Sequence, residues 1–204
     1  AMMLRDGEHL IPIWLSWMSP QMHIPQIYYG DYDNDGIFEF ALKTHMTTGT
    51  GISGDELYII EAGYASEQSG KLNYDIKEFN DWYDDVAAAV NCSVDDTGNI
   101  VTITLYGEEA AVIDLTQHFE EHKEYREEFD GFNFGSHYYF ENRDGEWYFT
   151  TYSGLCVKRN GESLFLTWDN DWNYSAVVTG RVVYEQSSGC RLEDITVSVE
   201  ERDE

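Results

Sequence analysis

The chain has 204 residues, 42% of them apolar, and a formal charge of −27 from 39 acidic against 12 basic side chains. The apolar content is enough to bury a substantial core, while the charge argues against nucleic acid or an anionic membrane surface as partner, because either demands an electropositive patch. Calcium and cationic partners suit the balance, and so does a high-salt habitat.

No run of about 20 apolar residues occurs, so the chain as given carries no membrane-spanning helix. Leu10 to Met18 is apolar but short, contains Pro12 and follows a mixed-charge start, which reads as a core segment rather than a signal peptide. Ala1-Met2 has the form of an engineered start, which leaves room for a leader or membrane anchor upstream.

Gln26-Ile27-Tyr28-Tyr29 reads as a strand leading into Gly30-Asp31-Tyr32-Asp33-Asn34-Asp35-Gly36-Ile37-Phe38-Glu39. Counted from Asp31, carboxylates stand at loop positions 1 (Asp31), 3 (Asp33), 5 (Asp35) and 9 (Glu39), with Gly36 at the sharp turn and the Ile37 carbonyl at position 7. Carboxylates about 4.5 Å apart repel by roughly 3–4 kcal/mol per pair at an effective dielectric near 20, so the empty loop resists closing. A divalent ion at about 2.4 Å attracts each carboxylate by roughly 14 kcal/mol on the same scale, before its dehydration. An all-oxygen ligand set suits Ca²⁺ over Zn²⁺ or Cu²⁺, and over the geometrically strict Mg²⁺. An EF-hand would need Glu at position 12 and flanking helices, but Leu42 stands there. The bland alternative is an Asp/Gly turn that binds nothing. Beyond the loop, Phe38, Phe40 and Leu42 alternate with Glu39, Ala41 and Lys43, placing Glu39 on the strand face opposite the aromatic side chains.

Asp31-Tyr32-Asp33-Asn34-Asp35-Gly36-Ile37-Phe38-Glu39 resembles the Asp-x-Asp-x-Asp-Gly-x-x-Asp/Glu calcium hairpin of FG-GAP and VCBS-type repeat proteins. The Gly/Thr-rich turn and strand from Thr47 to Tyr58, then Asn99 to Ile103 and Gly131 to Ser136, are similar to segments C-terminal to such a loop in secreted or membrane-anchored proteins of Gram-positive bacteria. The resemblance implies an extracytoplasmic, calcium-binding, non-enzymatic module. Only one complete loop is present, because Asp169-Asn170-Asp171 lacks the glycine that should come next.

Further along, Glu56 to Glu61 reads as a strand. Asp75 to Val90 reads as a helix, with Phe79, Tyr83, Val86 and Val90 at helical spacing. Asp96-Thr97-Gly98-Asn99 is a turn, Ile100 to Leu105 a strand, and a second helix is expected from Thr116 to about Phe129. The last third is a meander, with hairpin turns at Asp144-Gly145 and Asn160-Gly161 separating strands near 137–142, 146–152, 155–159 and 162–168, then Gly180 to Tyr184 and Leu192 to Val199. The expected fold is α+β, predominantly antiparallel, with two short helices; a partial β-propeller-like arrangement is the alternative. Residues 1–72 form an N-terminal β region and 73–204 a helix-plus-meander region, or the two make one continuous domain.

Three other features bear on function. His118-Phe119-Glu120-Glu121-His122 has the His-x-x-Glu-His spelling of inverted zinc peptidases, but no third-ligand segment is evident downstream, and an ordinary surface helix accounts for it. Tyr138, Tyr139, Trp147, Tyr148, Trp168, Trp172 and Tyr174 offer rings for stacking on a sugar, although alternating aromatics also fill sheet cores. Cys92, Cys156 and Cys190 allow one disulfide or three thiols. The functional expectation is therefore a non-enzymatic calcium-binding module, extracellular or at the cell surface, that binds a protein or other ligand. A carbohydrate-binding domain or carbohydrate-active enzyme is the alternative.

Overall fold

The computed structural model describes residues 2–6, 9–13, 23–49, 52–63, 73–159, 162–166 and 174–201. The chain begins with β1 (Met2–Asp6), β2 (His9–Ile13), β3 (Gln26–Gly30), β4 (Glu39–Gly49), β5 (Ile52–Gly63) and β6 (Asn73–Glu78). The middle holds α1 (Trp82–Ala89), β7 (Val90–Val94), β8 (Ile100–Leu105), β9 (Glu108–Asp114), α2 (Thr116–Glu121) and α3 (Lys123–Glu128). It ends with β10 (Phe129–Arg143), β11 (Glu146–Arg159), β12 (Glu162–Leu166), β13 (Tyr174–Glu185) and β14 (Gly189–Glu201).

The fold is mostly β, as its alternating apolar pattern dictates. A nine-stranded sheet runs β14-β13-β11-β10-β5-β4-β3, with β12 also on β11 and β6 also on β5; β7-β8-β9 and β1-β2 form two smaller sheets. Among the described residues every pairing is antiparallel except β10 with β5, which meet in parallel at His137↔Ser53 and Tyr138↔Gly54. The main core draws Ala41, Leu57 and Ile59 from one end of the large sheet, Phe140 and Phe149 from its middle, and Val101 and Ile103 from the three-stranded sheet. A smaller cluster of Leu42, Tyr58 and Ile60 occupies the opposite face of β4 and β5.

Several elements differ from their sequence-based expectation. The helix expected from Asp75 starts only at Trp82, because Asn73 to Glu78 pairs with β5 as a strand and the Phe79 amide bonds to the Leu57 carbonyl. Phe79, Val86 and Val90 are buried as their spacing requires, but Tyr83 is exposed. The second helix breaks into α2 and α3 at His122, whose backbone (φ −122°, ψ 72°) leaves the helical region, so the described residues form three short helices rather than two. The strands expected at 146–152 and 155–159 are one strand, continuous through buried Ser153, whose hydroxyl accepts the Ala176 amide at 2.8 Å. The Asp144-Gly145 turn is as expected, both residues having positive φ (54° and 97°). The expected Asn160-Gly161 turn and the segment from Trp14 to Met18 lie outside the described residues.

Gly54 makes the parallel joint feasible. A Cβ there would run into the Tyr138 phenol, whose ring is held against Trp82 at a centroid distance of 4.5 Å. Gly54→Ala is expected to destabilise the protein by about 1–3 kcal/mol in urea unfolding, with part recovered in Gly54→Ala/Tyr138→Leu. Full stability of the single variant would show that the joint is looser than described.

Candidate metal centre

The hairpin register pairs Gly30 with Glu39, so residues 31–38 close the β3–β4 connection and bring the start of β4 back beside Asp31. Asn34 and Gly36 supply the positive φ values (60° and 88°) that turn the loop inward. Each carboxylate then accepts one loop amide. Gly36 N–H donates to Asp31 Oδ2 at 3.1 Å, Asp35 N–H to Asp33 Oδ1 at 3.2 Å, Ile37 N–H to Asp35 Oδ1 at 2.6 Å, and Tyr32 N–H to Glu39 Oε2 at 2.7 Å.

Three of the expected ligands come together: Asp31, Asp33 and Glu39 each place a carboxylate oxygen within 4.8 Å of the other two. Among the described residues this is the one such group of three or more His, Cys, Asp or Glu side chains. Asp35 stands outside that group on the exposed rim, and Ile37 is exposed beside it. Glu39 is only 2% exposed and shares its face with Ala41 of the main core, opposite Phe40 and Leu42, as the alternation requires. Burial, reinforced by the charges of Asp33, Asp31 and Asp35, pushes its carboxyl up to about 7 despite the Tyr32 amide. Burial likewise raises Asp33, with Asp35, Glu61 and Asp31 adding to the effect against the Asp35 amide. Asp31 Oδ1 is buried and has no hydrogen-bond donor among the described residues. A hard cation fits this donor set: oxygens only, mutually repelling, with one oriented oxygen left open.

A cleft of about 270 Å³ opens beside the loop, lined by Asp31, Asp33 and Asn34 and by Glu146, Trp147, Arg181 and Tyr184 from β11 and β13. Trp147 belongs to the aromatic set offered for sugar stacking, while no local motif marks Glu146, Arg181 or Tyr184; strand order brings all four to the loop. Trp147 is buried, and its indole N–H approaches the Tyr32 phenol without reaching good hydrogen-bond geometry. Buried Glu61 accepts hydrogen bonds from the Tyr184 hydroxyl and from Gln186 Nε2, the latter at 2.6 Å. A second polar cluster, also missed from sequence, joins β4 to β5 and β10: Asp55 lies 2.8 Å from His45 Nδ1 and 3.3 Å from Lys43 Nζ, which donates to the Phe140 carbonyl.

The other sequence candidates resolve differently. The His118 and His122 rings are tilted by 36° with centroids 4.9 Å apart, and no third His, Cys, Asp or Glu completes a metal group with them among the described residues. Tyr138 packs against Trp82 and Phe149. Trp168, Trp172 and Asp169-Asn170-Asp171 lie outside the described residues. No disulfide joins Cys92, Cys156 and Cys190, and burial pushes the Cys92 thiol up to about 11 and that of Cys190 to about 12. No helix among the described residues is long and apolar enough to cross a membrane.

Comparison of the chain with protein-family models, with curated proteins and with solved structures gives no match in any of the three. The likeness to FG-GAP and VCBS hairpins therefore rests on the loop residues themselves.

Glu39 titrates near 4.5 when unfolded and about 7 when folded without metal, so the cation-free native state holds the extra proton between those values. Its contribution to stability is fully present below about pH 4.5 and is lost as pH rises through 7. In chelator, the melting temperature of the native chain is expected to fall more steeply from pH 5 to pH 7.5 than that of Glu39→Gln. Parallel curves would remove Glu39 from the buried cluster.

Proposed function

We propose that this chain is a non-enzymatic, extracytoplasmic calcium-binding module whose metal-pinned hairpin presents a surface for a protein or other ligand. This reading is supported above all by Asp31 Oδ1, buried without a donor among the described residues, in the same group of carboxylates as Asp33 and Glu39. Asp31, Asp33 and Glu39 would hold the ion, and the Asp35 carboxylate and Ile37 carbonyl are assigned by their loop positions. Bound calcium supplies positive charge where three carboxylates converge. The extracytoplasmic setting is supported by the FG-GAP-like spelling and by the millimolar calcium that modules outside cells meet, where dissociation constants of about 10⁻⁴–10⁻³ M suffice.

For a dissociation constant of about 10⁻⁴ M, calcium at a hundredfold excess over that value stabilises the fold by about 2.7 kcal/mol. In a domain of this size that raises the melting temperature by about 5–10 °C. Calorimetric titration is expected to give a saturable heat with CaCl₂, and the doubly substituted Asp31→Asn/Glu39→Gln chain neither heat nor thermal shift. Absence of both effects in the native chain would refute the metal reading.

The polar cleft beside the loop favours a second reading, a small hydroxyl-rich ligand such as a glycan, whose hydroxyls Asn34, Glu146 and Arg181 are placed to meet. Binding on a glycan array that disappears in Glu146→Ala would establish it; an array silent with calcium present would eliminate it.

A further inference from the structure

Strand β3 has one partner, β4, and ends the nine-stranded sheet. Among the described residues nothing pairs with its outer edge, which therefore offers backbone N–H and C=O groups to an incoming strand. Two other single-partner strands of this sheet, β6 and β14, are guarded. β6 carries Asp75, Lys77 and Glu78. β14 carries Arg191, Glu193 and Asp194, is irregular in register there, and packs against α1 through the Asp85 carboxylate, which accepts the Leu192 amide at 2.7 Å. β3 reads Gln26-Ile27-Tyr28-Tyr29-Gly30, with no charge, no proline and no register shift.

Its side chains are also set for contact. Ile27 and Tyr29, which share one face, are 51% and 63% exposed, while Tyr28 between them packs on the main core. Ile24 and Phe38 extend the exposed apolar surface at either end, at 79% and 50%. Exposed apolar side chains clustered on an undefended edge mark an interaction site rather than ordinary surface scatter. Charge selects the occupant. The chain carries −27 overall, and Asp33 and Asp35 lie just past the end of β3, so a second copy and an anionic bilayer are both repelled.

We infer that the free edge of β3 docks an extended cationic peptide segment as a further strand, its alternate apolar residues on Ile27 and Tyr29 and its basic residues toward the acidic loop. The β3–β4 ladder holds the strand edge in place and takes the site beyond the calcium reading, while the neighbouring loop stays net negative with one divalent ion bound, because Asp31, Asp33, Asp35 and Glu39 carry more charge than the ion cancels.

The test titrates the full chain against a fluorescein-labelled peptide of alternating lysine and valine, followed by anisotropy, beside the same peptide fully N-methylated. Saturable binding is expected for the parent peptide, weaker by about tenfold or more for the N-methylated one, which keeps the charge but cannot form a ladder. Ile27→Lys and Tyr29→Lys, each checked for native circular dichroism, are expected to weaken it by a similar factor. Amide exchange should slow at Gln26 to Gly30 on binding. Equal binding of the two peptides, or slowing at another edge strand instead, would overturn the proposal. So would a dimer protecting the same amides without peptide, or co-sedimentation with phosphatidylcholine/phosphatidylserine vesicles in the absence of any peptide binding.

Discussion

The mutual repulsion of Asp31, Asp33 and Glu39 is the constraint around which the N-terminal hairpin is arranged. Ligand oxygens within 4.8 Å of one another repel by roughly 3 kcal/mol per ionised pair at an effective dielectric near 20. One loop amide per carboxylate offsets part of this, yet Glu39 remains almost fully buried with its carboxyl pushed up to about 7. A proton on Glu39 relieves that group alone, whereas a divalent ion, as proposed, would attract all three groups together and give Asp31 Oδ1 the partner it lacks among the described residues.

The strand that carries Glu39 transmits this condition to the rest of the molecule. β4 places Glu39 and Ala41 on the main-core face and Phe40 and Leu42 on the other, so the charge state of the loop bears on packing in both clusters. The same hairpin divides two surfaces. On one side the loop borders the cleft under β11 and β13; on the other, Ile27 and Tyr29 stand along the open edge of β3. A hairpin between a polar cleft and an apolar edge is well suited to recognition, and the proposed binding role comes from that placement.

Much of this organisation is legible in the sequence where the controlling interactions are local. The Asp144-Gly145 turn, the strand from Ile100 to Leu105 and the Asp31–Glu39 loop all carry their signals within a few residues. The features that are not legible depend on distant partners. Asn73 to Glu78 precedes a helical apolar spacing and reads as its continuation, until pairing with β5 claims it as a strand. The break at His122 has no glycine or proline to announce it. Ser153-Gly154 looks like a strand end, but the Ser153 hydroxyl is held by the Ala176 amide from β13. At the site, the alternation of Asp31, Asp33 and Glu39 foretells their convergence. Asp35 instead accepts the Ile37 amide on the exposed rim, and Glu146, Trp147, Arg181 and Tyr184 reach the loop through strand order in the large sheet.

On the proposed reading, Asp31, Asp33 and Glu39 are built around an alkaline-earth ion. The most direct measurement is a diffraction map at high resolution from crystals grown in calcium chloride, with anomalous data collected to distinguish calcium from water. The expected result is an anomalous peak about 2.3–2.6 Å from oxygens of Asp31, Asp33 and Glu39. Ordinary water density among those oxygens, with no anomalous signal, would contradict it.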